Sequence, residues 1–138
     1  MKLKILNINE NEVNEVLIPV SIGELVDKIT ILEIKRQHME DTKLINVDKE
    51  LKTLKQVLSK LKVKIDTNII NKLRVVNNKL WNIEDQIRIK EKNNIFDEEF
   101  IELARLVYLE NDQRFSIKQN INKMYKSRFI EEKSYEKY

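Results

Sequence analysis

The spacing of apolar residues predicts four long amphipathic helices joined by short polar loops. In each segment apolar side chains recur three and four positions apart, as Ile22, Leu25, Ile29 and Leu32 do, which places them on one face of a helix. The predicted helices run from Ser21 to about residue 40, from about Lys43 to Leu61, from Thr67 or Asn68 into the KEKNN stretch, and from Asp97 to about Lys126.

Three of the helix starts carry a capping signal, and at the third helix Asp66 or Thr67 can act as the N-cap. Ser21 followed three residues later by Glu24 is a capping box, and Asp97 is a good N-cap ahead of an acidic first turn. In the first helix Ile31 and Ile34 lie off the main apolar stripe, so this helix should have a second buried side.

The first 20 residues differ from the rest of the chain. The runs KLKILNI and EVLIPV are rich in β-branched residues and partly alternate, which predicts a short β arm or hairpin, with Pro19 at an edge or a strand end. The sequence therefore predicts an all-α domain, a four-helix antiparallel bundle of coiled-coil-like hairpins with an N-terminal β arm. Its parts are the arm at 1–20, the bundle at 21–126 and a tail at 127–138, all within a single domain at 1–138.

The composition excludes several classes of protein. One Gly and one Pro in 138 residues leave too few turn residues for a fold built from many strands. The absence of Cys excludes disulfides and thiolate metal sites, and the single His38 excludes His-rich metal sites. No apolar run has the length of a signal peptide or a membrane span, so we expect a cytoplasmic protein without membrane contact.

The net charge of +3 does not by itself indicate a nucleic-acid partner. The second helix has a Lys-rich face, but this face lacks Arg and aromatic residues and is interrupted by Asp48 and Glu50. A nucleic-acid reader usually carries a denser basic patch, so we do not expect binding to nucleic acid.

Charged and amide side chains lie on or beside the apolar stripes that should face the core. Because burying an unpaired charge is very costly, these side chains must pair with one another, bind a ligand or stay in contact with water. We call them the inner polar set: Glu33, Arg36, Glu84, Arg88, Asn111, Arg114 and Lys118.

The inner polar set has three interpretations. It forms a site for a small anionic ligand, phosphorylated or carboxylated, in which Arg and Lys hold the anion and Glu orients it or exchanges protons. Alternatively it is a buried salt-bridge network that fixes helix pairing in a structural or assembly module, or it is exposed. Helices with more than one apolar face also predict a homodimer. The candidate anion-binding residues are Arg88, Arg114, Lys118, Asn111, Glu84 and Glu33.

A different reading starts from Glu24 and Asp27, one helical turn apart. Carboxylates at this spacing can share Mg²⁺, as in all-α nucleotide pyrophosphohydrolases, which need a second acidic pair such as Glu84–Asp85 or Glu99–Glu102. Acidic residues in a first helical turn are also common for their interaction with the helix dipole alone. The sequence leaves open whether the protein is an enzyme, and it requires no cofactor.

Four separated segments resemble motifs of an uncharacterised family of bacterial and phage proteins, a domain of unknown function. They are SIGELVDKITILEIK (21–35), LWNIEDQIR (80–88), FIELARLVYLENDQR (100–114) and EEKSY (131–135), in the family's order. The resemblance covers about residues 18–138 and implies a small protein that stands alone, with no particular activity. The motif positions it implies are Glu24, Asp27, Lys28, Thr30, Glu33, Lys35, Trp81, Glu84, Asp85, Arg88, Asn111, Asp112, Arg114, Lys133 and Tyr135, but not Arg36.

Overall fold

The computed structural model describes residues 14–138, which form four α-helices and, over this range, no β-strand. The helices are α1 (Ile22–His38), α2 (Asp41–Ser59), α3 (Thr67–Lys92) and α4 (Glu98–Met124). The prediction of an all-α fold is confirmed, and each predicted helix end lies within about two residues of the observed one. Over the same residues, none of the helices is both long enough and apolar enough to cross a membrane.

Side-chain caps fix three of the four helix starts. The hydroxyl of Ser21 accepts the N–H of Glu24 at 3.1 Å, as the capping box predicts. The carboxylates of Asp66 and Asp97 accept N–H groups of the first turns of α3 and α4 at 2.9 and 3.0 Å. Each cap satisfies a backbone donor that would otherwise have no partner, so the local sequence determines where these helices begin.

Helix α1 is the central element and has two buried sides, as its sequence predicts. One side packs against α2, which follows after a turn of two residues. The apolar residues Leu25, Ile29 and Leu32 of α1 meet Val47 and Leu51 of α2 in one cluster. Burial of such side chains contributes about 1.5–3 kcal/mol each relative to exposure.

The other side of α1 lies on the hairpin formed by α3 and α4. Val26 packs with Leu73 and Ile121, and the last two are fully buried. Two contacts give the direction of the helices. Gly23 at the start of α1 donates to Asn122 near the end of α4, and His38 at the end of α1 stacks on Trp81 in the middle of α3. Thus α1 runs antiparallel to α4, in the cleft between the two helices of the hairpin.

The predicted β arm is not supported. The run KLKILNI lies within residues 1–13, outside the described residues. The run EVLIPV is described and forms neither strand nor hairpin, and Val16 and Leu17 are exposed. Pro19 has no N–H to donate, and the described chain offers no neighbouring strand with which this run could pair.

The tail after α4 has no regular secondary structure, but it is docked on the helices. The N–H of Ile22 donates to the hydroxyl of Ser127 at 3.0 Å, and the ring of Tyr138 meets that of Tyr108 edge-on at 5.1 Å. The hydroxyl of Tyr138 also donates to the carboxylate of Asp112. The tail therefore returns along α4 and reaches the polar side chains at the start of α1.

Candidate functional site

Asp27 lies at the centre of the structure, and its side chain is the most completely buried acidic group of the described residues. Nε of Arg114 donates to both carboxylate oxygens at 3.0 and 3.1 Å, and Nη2 donates to Oδ2 as well. Nδ2 of Asn77 donates to Oδ1 of Asp27 and to the hydroxyl of Thr30, both at 2.9 Å. One carboxylate from α1 thus binds side chains of α3 and α4 together.

The bidentate hydrogen bonds between Arg114 and Asp27 are charge-assisted. The Asp27 side chain is buried, and the Arg114 side chain is only partly exposed. The hydrogen bond to Asp27 raises the pKa of Arg114 above its ordinary value, although burial of the guanidinium works in the opposite direction. Arg114 is therefore held in its charged form by Asp27. Its planar guanidinium can donate to both oxygens of the Asp27 carboxylate at once, whereas the ammonium group of a lysine has no such planar pair of donors.

Lys118 sits one turn further along α4 and is buried, with only 7% of its side chain exposed. Its Nζ lies 2.7 Å from Glu24 Oε2, 2.7 Å from Glu131 Oε2 and 4.0 Å from Asp27 Oδ2. Burial lowers the pKa of Lys118, but the close contact with the Glu131 carboxylate and the hydrogen bond to Glu24 outweigh that effect and leave the pKa raised. The ammonium group is therefore held in its charged form by carboxylates from α1 and from the tail.

These side chains form one closed group that we call the inner network: Glu24, Asp27, Arg114, Lys118 and Glu131. It contains two cations and three carboxylates, and each cation contacts at least one carboxylate. Each carboxylate is in turn within salt-bridge distance of a cation. This pairing offsets the cost of burying Asp27 and Lys118, which would be several kcal/mol for an unpaired ion.

A small polar cleft of about 240 Å³ opens between the inner network and the tail, and we call it the tail cleft. The Nζ of Lys133 lies over one of its walls, 5.0 Å from the centre of the Phe115 ring, in a cation–π contact. Glu131 lines the cleft from the tail, with its Oε2 2.7 Å from Nζ of Lys118. The residues that line it are Glu24, Asn111, Arg114, Phe115, Lys118, Glu131 and Lys133.

The inner polar set predicted from the sequence is divided among separate places. Arg114, Lys118 and Asn111 come together at the tail cleft. Glu33 instead accepts Nε of Arg74 at 2.7 Å on another side of α1. Glu33 is also 3.5 Å from Nζ of Lys55.

Three further members of the predicted set lie at the surface. Arg88 and Glu84 face each other at 3.7 Å along α3, and 77% of the Arg88 side chain is exposed. Arg36 pairs with Asp48 at 2.9 Å, also in contact with solvent. The helical spacing along α3 does place Glu84 and Arg88 beside an apolar stripe. These two residues are nevertheless exposed, because α1 ends at His38, before it could cover Arg88.

The structure also brings in residues that the periodicity did not single out. Glu131 lies in a tail without periodicity, so no helical pattern could show that it reaches Lys118. From the sequence, Asp27 is a possible metal ligand and a motif position of the family, but not a member of the inner polar set. Yet Gly23, Asp27, Thr30 and Ile34 follow one another at helical spacing and are all buried. That second stripe was a signal that could have identified Asp27 as an inward-facing group.

The described residues include no group of three or more His, Cys, Asp or Glu side chains arranged to hold a metal ion. Glu24 and Asp27, the two carboxylates considered for Mg²⁺, are each occupied by a cation of α4. The chemistry that this arrangement offers is therefore the fixation of carboxylates by Arg and Lys, in a cleft that is open on one side.

No curated protein and no solved structure matches the chain. A family model described as a family of unknown function (DUF6165) matches residues 16–138. This range contains all four helices, the inner network and the tail. The chain belongs to the DUF6165 family.

Proposed function

We propose that this protein is a structural or assembly module, in which the inner network fixes how α1 is seated on the α3–α4 hairpin. The observation that carries this proposal is that each cation of the network already has a carboxylate partner without any ligand. A site waiting for an anion would instead leave a cation without an internal partner. The expected partner is a second copy of the chain.

The network supports specificity of packing more than it supports net stability. A buried ion pair is often no more stabilising than apolar residues of the same size, but removal of one partner costs about 3–5 kcal/mol because the other charge stays buried. Only one register of α1 brings Asp27 to Arg114 and Glu24 to Lys118 at the same time. Any other register would leave these charges unpaired in the core.

The test is a double-mutant cycle on Asp27 and Arg114, read as the free energy of unfolding in urea. Arg114→Met alone should lower the free energy of unfolding by about 3–5 kcal/mol, because Asp27 stays buried without its partner. The double variant with Asp27→Leu and Arg114→Met should recover most of that free energy. Arg105→Met is the matched control, because Arg105 is an exposed Arg on the same helix as Arg114, outside the inner network, and should change stability by no more than about 0.5 kcal/mol.

The same variants separate this proposal from ligand binding in a thermal-shift screen with nucleotides, sugar phosphates and dicarboxylates, with and without Mg²⁺. A ligand present at about 100 times its Kd contributes about 2.7 kcal/mol to stability, which is a shift of several degrees. A shift in the wild type that disappears in Arg114→Met would contradict a purely structural network.

A second candidate function is the binding of a small carboxylated or phosphorylated ligand in the tail cleft. The observation that favours it is that Glu131, which occupies the cleft, belongs to a tail without secondary structure, while Lys118 and Arg114 belong to α4. An external anion could take the place of the Glu131 carboxylate. Glu131→Gln should then increase the affinity for inorganic phosphate, and addition of Lys118→Met should remove the increase; equal binding in all three proteins would contradict this function.

A Mg²⁺-dependent nucleotide pyrophosphohydrolase is the alternative with least support. Mg²⁺ at Glu24 and Asp27 would have to displace Lys118 and Arg114, whose positive charges also repel the metal. Release of pyrophosphate from a nucleotide that depends on Mg²⁺ and is lost in Glu24→Gln would be the result in its favour.

A further inference from the structure

The α3–α4 hairpin is longer than the helix that packs on it. Helix α1 spans 17 residues, whereas α3 and α4 span 26 and 27. His38, the last residue of α1, stacks on Trp81 at 4.7 Å, and α3 continues from there to Lys92. The distal end of the hairpin is thus a two-helix structure that no other described helix covers, and isolated two-helix units bury little apolar surface.

This end of the hairpin presents apolar side chains to solvent. We define the hairpin tip by Ile89, Ile95, Phe96 and Ile101, whose exposed fractions lie between 43% and 59%. The ring of Phe96 is held edge-on against that of Phe100, with 5.2 Å between the centres. Four large apolar residues exposed together at one end of a small protein are typical of a contact surface.

The tip is also firmly built. The Nζ of Lys90 lies 3.0 Å from the carboxylates of both Asp97 and Glu99, so one cation joins the end of α3 to the start of α4. The N–H of Ile95 donates to the carbonyl of Lys90 at 2.9 Å. Because the loop is already ordered, a partner would not have to order it on binding, which favours association.

Charges around the tip are unequally divided between the two helices. The end of α3 carries Arg88 and Lys92 against one acidic residue, Glu91, whereas the start of α4 carries Glu98 and Glu102 in addition to the carboxylates that pair with Lys90. The end of α3 is therefore basic in net charge and the start of α4 is acidic. If a two-fold axis passes through the tip, the basic end of α3 in one copy faces the acidic start of α4 in the other. The same contact occurs a second time with the two copies exchanged. The surface is therefore complementary to itself: apolar at the centre, with opposite charges that meet on both sides.

We propose that the occupant of the hairpin tip is a second copy of this chain, related by a two-fold axis, with the α3 end of each copy against the α4 start of the other. This inference rests on the proposed function as an assembly module and names the partner and the surface. It does not depend on the inner network, whose Arg114 and Lys118 lie in the half of α4 that is remote from the tip.

The experiment uses light scattering after size exclusion on the full chain, from about 5 to 200 µM, a range suited to interfaces of modest size. The wild type should reach twice the monomer mass, and Phe96→Asp and Ile101→Asp should be monomeric. Ile45→Asp is the matched control, because Ile45 is an isoleucine on α2 at least as exposed as Ile101 and should leave the dimer intact.

Charge reversal tests the pairing itself. An acidic variant (Arg88→Glu with Lys92→Glu) and a basic variant (Glu98→Lys with Glu102→Lys) should each be monomeric, because each places like charges against each other across the axis. Mixed in equal amounts, they should form a heterodimer, since every contact then joins opposite charges. Exposed charge changes of this kind leave the fold intact, which the melting temperature of each variant checks.

Three results would overturn the proposal. They are a monomeric wild type over the whole range, a dimer that survives Phe96→Asp, and a mixture of the charge variants that stays monomeric while the wild type dimerises. None of them bears on the double-mutant cycle of Asp27 and Arg114. Failure of the tip as an interface is thus distinguishable from failure of the inner network as a structural device.

Discussion

The N–H of Gly23 donates a 2.7 Å hydrogen bond to Oδ1 of Asn122, a residue 99 positions later in the chain. The two helices approach so closely here that a Cβ on Gly23 would lie 2.6 Å from the carbonyl oxygen of Lys118. Glycine removes this obstacle and lets α1 lie directly on α4. Since Glu24 and Asp27 follow within the next turn, this close approach sets the distances over which they reach Lys118 and Arg114.

Gly23→Ala should therefore destabilise the protein, although the same change in an exposed helix stabilises it by up to about 1 kcal/mol. The added methyl group meets backbone rather than a flexible side chain, so the helices must move apart, at a cost of about 1–3 kcal/mol. Urea denaturation measures this cost, with Ser116→Ala on the exposed side of α4 as the control. A Gly23→Ala protein as stable as the wild type would show that α1 and α4 are not in contact at this point.

Asn77 should be more important than its neutral side chain suggests. It is 5% exposed and donates to both Asp27 and Thr30, so Asn77→Leu removes a donor from a buried carboxylate without opening a cavity. A hydrogen bond to a charged group contributes about 1.5–3 kcal/mol, and we expect a loss of that size in the free energy of unfolding. Asn78→Leu is the control, since Asn78 is exposed, and equal effects at the two positions would contradict a special role for Asn77.

The local sequence predicts the helices well because their causes are local. Ser21, Asp66 and Asp97 cap the helices they precede, and apolar spacing determines which faces are buried. The two buried sides of α1 also follow from its sequence, because Ile34 lies off the main stripe and is buried. The pattern gives the length of each helix but not the position of α1 along the hairpin, so it did not show which end of the hairpin α1 leaves uncovered.

The candidate site was predicted only in part, because its partners are distant in sequence. Periodicity placed Arg114 and Lys118 on an inner face, but it could not tell which carboxylates of α1 would meet them. Glu33 lies on the same helix as Asp27 and was an equally reasonable partner, yet it faces Arg74. The contribution of Glu131 depends on how an aperiodic tail docks, which no spacing rule describes.

Lys118 should make stability depend on alkaline pH. Burial lowers its pKa, but the close contact with the Glu131 carboxylate and the hydrogen bond to Glu24 outweigh burial, so the folded pKa lies above the ordinary value of 10.5. A pKa raised by folding means that the contribution to stability is fully present below pH 10.5 and is lost as the pH rises through the folded pKa.

The measurement for Lys118 is the free energy of unfolding of the wild type and of Lys118→Met between pH 8 and pH 12. Other lysines and tyrosines titrate in both proteins, so the difference between the two curves isolates Lys118. That difference should be constant up to about pH 10.5 and should change in favour of the variant above it. A difference that stays constant over the whole range would mean that Lys118 gains no charge stabilisation from Glu24 and Glu131.

Glu131 should hold the tail against α4. Its carboxylate lies 2.7 Å from Nζ of Lys118, and the tail has no hydrogen-bonded secondary structure of its own to keep it ordered. Glu131→Gln keeps the size of the side chain and removes the charge, so the tail should open more often. Trypsin should then cut after Arg128 severalfold faster in the variant, while the four helices remain intact in mass spectra of the digest.

Glu132→Gln is the matched control for this cleavage, since Glu132 is the next residue, carries the same charge and is exposed. Cleavage of a briefly opened segment follows the population of the open form, so the ratio of the two rates reports the contribution of one contact to tail docking. If both variants are cut at the wild-type rate, the pair with Lys118 does not hold the tail. If both variants are cut faster than the wild type and to the same degree, the net charge of the tail holds it against α4, and the 2.7 Å contact between Glu131 and Lys118 does not.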